Sequence, residues 1–112
     1  MNYELLFPSE FLKAVEFLGR DVTLTIERVK LDELPLKGTS KTKKRGVVYF
    51  RETEKKLVLN RTNAEVIVGM YGKDTDGWSG KRITLFPAQV QFGRETVDGI
   101  RVRTKVPPPK GK

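Results

Sequence analysis

Apolar and polar residues alternate along five stretches of the chain, and one short stretch between the third and fourth has helical spacing instead. Residues 22–34, 46–52 and 55–60 read as the first three strands. Residues 63–71 read as a helix, then 81–86 and 98–106 as the last two strands. In the first strand Leu24 and Ile26 share one face. Val29, Leu31 and Leu34 continue it in a shifted phase, which predicts a bulge or bend just after Ile26. Val48 and Phe50 alternate with Val47, Tyr49 and Arg51. Thr53 and Glu54 turn the chain into Leu57 and Leu59, so the second and third strands form a hairpin. Ile83 and Leu85, then Ile100 and Val102, complete an inward set of ten residues.

The connections carry their own signals. Thr62 and Glu65 have capping-box spacing, which predicts that each side chain bonds the other's free backbone N–H. Ala64, Ile67, Val68 and Tyr71 follow at helical spacing, and Gly72 sits where a helix stops. So short a helix does not hold alone and must be docked. KGTSKTKKR, residues 37–45, reads as a mobile polar loop because it has no apolar anchor. Pro87 is expected to limit further pairing of the fourth strand. Phe11, Leu12, Val15 and Leu18 predict a short N-terminal helix capped by Ser9.

Three strands, a helix and two strands is the element order of the OB-fold, a small, partly open five-stranded barrel that commonly holds oligonucleotides. The expected organisation is therefore mostly β. A helical segment at 1–20 precedes an OB-like barrel at 21–106, with the helix plugging its base, and an extended, disordered tail occupies 107–112.

Composition narrows the chemistry. Cysteine and histidine are absent, which removes disulfides, the usual zinc sets, thiol nucleophiles and imidazole acid–base catalysis. Asp32 and Glu33 are adjacent on a strand, point to opposite sides and make no acid–base pair. Asn60-Arg61-Thr62 matches a glycosylation acceptor, but without a secretory leader helix capping explains Thr62 better. Asp74-x-Asp76-Gly77 matches part of a calcium loop whose first and twelfth positions, Gly72 and Ile83, are not ligands. The spacing of Gly72 and Gly77 mimics a phosphate loop in which Trp78 replaces the lysine. No enzyme, catalytic residue, metal, cofactor or small-molecule substrate is expected. No apolar run approaches the roughly 20 residues that cross a bilayer, and the opening MNYELLFPSE does not read as a signal peptide. The expected setting is cytoplasmic.

Charge points to a partner. The net charge is +8, and residues 37–61 carry nine cations against two carboxylates, while residues 1–36 are net acidic. Concentrated positive charge suits a polyanion. By alternation Tyr49 and Phe86 face outward, near Arg51, Lys56, Arg82, Arg101 and Arg103. Rings that stack bases beside cations that follow phosphates make a single-strand platform. Trp78 more often closes the barrel end than touches a ligand and is a further stacking candidate after that. Lys41, Lys43, Lys44 and Arg45 add phosphate contacts from the loop.

With Phe50, Lys56, Leu59-Asn60-x-Thr62-Asn63-Ala64, Tyr71-Gly72, Trp78-x-Gly80-Lys81 and Ile100-Arg101-Val102-Arg103 in view, residues 20–106 resemble a family of small phage and prophage proteins. The resemblance implies a bacterial-host cytoplasm. The function expected is non-enzymatic binding of single-stranded nucleic acid, DNA ahead of RNA, with low sequence preference, during replication or recombination. The alternative is a protein–protein adaptor or small structural phage protein in which the basic residues serve solubility. The acidic N-terminal third also allows a homodimer.

Overall fold

The structure, a computed structural model, describes residues 10–36 and 38–108. Five strands form an antiparallel sheet: β1 (Val22–Pro35), β2 (Thr42–Phe50), β3 (Leu57–Val58), β4 (Arg82–Phe92) and β5 (Glu95–Val102). Their spatial order is β3-β2-β1-β4-β5. One helix, α1 (Arg61–Tyr71), lies between β3 and β4 in sequence.

β1 serves both halves of the sheet. Its first residues, Val22–Thr25, pair with β4, and from Ile26 onward it pairs with β2. The register slips between Ile26 and Arg28, the bulge that the phase change in the sequence foretells. A bulge bends a strand and increases its twist, which lets one strand turn from one neighbour to the other. The backbone there is satisfied by the turn before β4. Ile26 N–H donates to Lys81 O, and Gly80 N–H to Ile26 O, both at 2.8 Å. Ser79 Oγ donates to Glu27 O at 2.9 Å.

Eight of the ten residues expected inward form the buried core with Phe17, Ile67 and Trp78, while Leu59 and Ile100 pack against it half-buried. Val47 departs from the expectation. It has the outward parity of Tyr49, yet it is fully buried and lies outside the main cluster. The outer face of the β1–β2–β3 half is therefore covered at that point.

Both hairpins run further than the apolar pattern indicates. Residues 42–45 belong to β2 and not to a loop, pairing with Asp32–Pro35. They project past the core, so main-chain bonds hold them without any burial period to read. The same holds for β4 and β5, which continue to Phe92 and begin at Glu95. Pro87 does not stop β4. It follows Leu85, the last β4 residue paired with β1, where only β5 is bonded, and a strand with one free edge accommodates proline. β3, by contrast, shrinks to two residues, and β5 ends at Val102.

The helix begins earlier than expected, and its cap is Asn60. The Asn60 side chain accepts from Asn63 N–H at 2.8 Å, whereas Thr62 is already inside the helix. Glu65 faces exposed Arg61 at 3.5 Å and closes no box. Gly72 ends the helix at φ 95°, a left-handed value that favours glycine. Asn63, almost fully buried, donates from Nδ2 to Ile100 O at 2.9 Å and so docks α1 onto β5.

Among the described residues β3 and β5 do not pair, so the sheet is open and is not closed into a barrel. The N-terminal segment reaches the β3 side of the gap. Lys56 N–H donates to Glu10 O and Leu12 N–H to Lys56 O, each at 2.8 Å, making a parallel bridge. Among the described residues the expected N-terminal helix is reduced to one 3-10 turn, Ala14–Phe17. Leu18 follows in the left-handed region and is 75% exposed, not part of an apolar face. Ser9 lies outside the described residues, as do Lys37 and 109–112.

Candidate functional site

The hairpin of β1 and β2 places Arg28 opposite Tyr49 across the register. Three cations surround the Tyr49 ring. Arg28 Cζ lies 4.7 Å from its centroid, Lys56 Nζ 5.2 Å and Lys30 Nζ 5.8 Å. Tyr49 Oη donates to Asp32 at 2.6 Å. That bond, assisted by burial, pushes the phenol's pKa up, because it would be lost with the proton. Lys56 donates to Glu10 at 3.2 Å, and this bond raises its pKa. Arg28 sits 3.7 Å from Glu27. Tyr49 is therefore no bare stacking ring. A base would meet the Arg28 guanidinium as well, and guanidinium planes stack on bases as aromatic rings do.

Lys41, Lys43, Lys44 and Arg45 continue from this patch along β2 and the hairpin tip. Lys43, Lys44 and Arg45 face Leu34, Glu33 and Asp32 in the register. Leu36 N–H donates to Lys41 O at 2.9 Å and closes the tip. From residue 27 to residue 51 the described chain carries seven cations and three carboxylates, so the hairpin is net basic.

The second outward aromatic has a different fate. Arg103 Cζ lies 3.7 Å from the Phe86 centroid. Arg103 Nε and Nη2 donate to the two oxygens of Asp21 at 3.1 and 3.0 Å. The hydrogen bond from Arg103 holds the Asp21 carboxyl below its ordinary range, and the same contact raises Arg103. Phe86 is capped by a guanidinium whose charge is already matched, which argues against its expected role as a stacking ring. Arg101 is half-buried opposite Phe86 in the register.

Trp78 is 1% exposed, and its Nε1 donates to Gly72 O at 2.9 Å. It closes the core beneath the turn after α1 and cannot stack a base. Arg51 and Arg82 come together elsewhere, in a groove they share with Lys81. The expected residues thus separate into five places: the hairpin cations, Tyr49 with Lys56, Arg51 with Arg82, Phe86 with Arg101 and Arg103, and Trp78 in the core.

Sequence reasoning missed Arg28, Lys30, Asp32 and Lys81. Three of them were within reach, because carrying the phase change past Glu27 puts Arg28, Lys30 and Asp32 on the same face as Tyr49. Among the described residues no group of three acidic side chains could hold a metal ion, and no helix is long and apolar enough to cross a membrane. Comparison with protein-family models, with curated proteins and with solved structures finds no match to this chain.

Proposed function

We propose that this protein binds single-stranded nucleic acid, DNA in preference to RNA, without catalysis and with little sequence preference. The sheet is read as an OB-type barrel left open at the seam between β3 and β5. Its order, its bent first strand and the helix between β3 and β4 support that reading. In such barrels the β2–β3 face and the β1–β2 and β4–β5 loops hold the oligonucleotide. The observation that carries the proposal is the Tyr49 ring set among Arg28, Lys30 and Lys56 at the root of a basic hairpin. Bases stack on the Arg28–Tyr49 layer while Lys41, Lys43, Lys44 and Arg45 follow the phosphates. No array of side chains suited to reading base edges accompanies them, so preference among sequences is small. The resemblance read in residues 20–106 to small phage and prophage proteins supports a phage setting, and replication or recombination is the process proposed for it.

The test is a titration with single-stranded and duplex oligonucleotides of roughly 16 nucleotides, the upper end of one OB-fold's site size. Single strands bind more tightly. Their log affinity falls linearly with log salt at roughly −0.7 per phosphate neutralised. Replacing the four hairpin cations by glutamine flattens that slope. Tighter duplex binding contradicts the stacking layer, and no binding at low salt leaves the adaptor reading in its place.

A further inference from the structure

A second basic feature lies where the end of β2, the start of β4 and the C-terminal segment meet. Thr25, Arg51, Tyr71, Lys81, Arg82 and Pro107 line a groove of about 390 Å3 there. No carboxylate lines it among the described residues. Among the described residues the ion pairs involve Arg28, Lys55, Lys56, Arg61 and Arg103, and none involves these three cations. Glu52, the carboxylate next to Arg51, is directed at Thr25, accepting from its N–H at 2.7 Å and its hydroxyl at 2.6 Å. Glu27, Glu52 and Glu54 line the adjoining recess that Arg51 shares, outside the groove itself.

The groove is also incompletely bonded. Arg82 Nη1 donates to Pro108 O at 2.7 Å, but Arg82 Nε is shielded from solvent and donates to nothing. Arg82 as a whole is half-buried, and its one shielded, unbonded N–H is penalised for lost hydration, a cost that an anion accepting from it offsets. The walls are held in place. Tyr71 Oη donates to Arg82 O at 2.5 Å, and its ring lies 6.0 Å from Lys81 Nζ. At Gly80, φ is +84° and a Cβ would come 3.7 Å from Arg51 Nη2, so the guanidinium packs close over a bare backbone.

The geometry points to a phosphate-binding site in this groove, with Arg51 and Lys81 as its mobile donors and Arg82 as its fixed charge. The ligand chemistry is a phosphate oxyanion, which two sources supply: an internal phosphodiester or a terminal phosphate. Arg51 also lines the recess that contains Arg28 and Tyr49. A strand stacked on that layer therefore passes from one feature to the other, and this assignment to the strand's own phosphodiester rests on the function proposed above.

The site itself is tested with inorganic phosphate. In amide-resolved NMR of the full chain, phosphate titrated against chloride at matched ionic strength shifts Arg51, Gly80, Lys81 and Arg82 in a saturable way. Arg51→Gln with Lys81→Gln abolishes those shifts. Both positions are exposed, and unchanged resonances elsewhere show that the fold is kept. Shifts spread evenly over the surface, or unaltered in the double variant, overturn the site. Single-stranded oligonucleotides with and without a 5′-phosphate then separate the sources. Loss of roughly 0.7 from the salt slope with both oligonucleotides in the double variant supports an internal phosphodiester. A loss confined to the 5′-phosphorylated oligonucleotide overturns that assignment in favour of a terminal phosphate. Phosphate shifts without any oligonucleotide binding uphold the site and refute the proposed function. Oligonucleotide binding with an unchanged slope and no phosphate shifts does the reverse.

Discussion

Tyr49 and Phe86 occupy equivalent positions in the two halves of one sheet, each an outward aromatic on a strand adjoining β1, and each lies under an arginine. The arginines make the difference. Arg103 is clamped by both oxygens of Asp21 and closes over Phe86 at 3.7 Å. Arg28 stands further off, at 4.7 Å, with a contact to Glu27, and among the described residues Lys30 nearby has no carboxylate partner at ion-pair distance. A cation that is matched within the protein serves the fold, and one that is loosely matched remains able to meet a ligand. What makes an outward ring a site is the state of the charge above it.

The deepest cut removes the core beneath both rings. Phe50→Ala empties a buried position among Ile26, Val48 and Leu57 and should cost about 3–5 kcal/mol in denaturant unfolding. That is a large share of a small domain's stability. A smaller loss would mean that the two halves do not share one core.

A smaller effect separates the halves through α1, which reaches the Phe86 side by the Asn63 bond to Ile100. Asn60→Ala removes the helix cap and should lower stability by about 1 kcal/mol. Thr62→Ala, whose hydroxyl caps nothing, should have a clearly smaller effect. Equal effects would contradict the cap assignment.

The smallest expected effect tests the clamp over Phe86. Asp21 has its pKa lowered by the hydrogen bond from Arg103. Its contribution is therefore complete above the ordinary carboxylate range and is lost as pH falls through the lowered folded value. Asp21→Asn should be slightly less stable than the parent at neutral pH, since the pair is exposed. The two melting curves should converge in acid. A gap that persists in acid would show that Arg103 is held by something other than that charge.

Much of the fold is legible in the chain because burial imposes a period. The ten inward residues, the bulge after Ile26, the β2–β3 hairpin and the helix stop at Gly72 all follow from alternation or from glycine's backbone freedom. Where burial ends, legibility ends too. Residues 42–44 are strand held by main-chain bonds and fully exposed, with no core beneath them to print a pattern, and 88–91 are at most half-buried. The lack of pairing between β3 and β5 is a long-range feature and leaves no local mark in the sequence. The candidate site was half legible. Tyr49 and the hairpin cations follow from parity and charge, and a lone tryptophan beside a turn reads as a core closure, but the clamp on Phe86 depends on Asp21, a partner that residue type does not disclose.

The contrast between the two rings is tested most directly by the salt dependence of single-strand binding in Tyr49→Ala and Phe86→Ala. Tyr49→Ala should weaken binding by about 1–3 kcal/mol, the usual cost of losing one stacked base, with the slope nearly unchanged because the cations remain. Phe86→Ala should leave both affinity and slope at the parent's values once the fold is verified. An equal or greater loss in Phe86→Ala would contradict the account, as would full affinity in Tyr49→Ala.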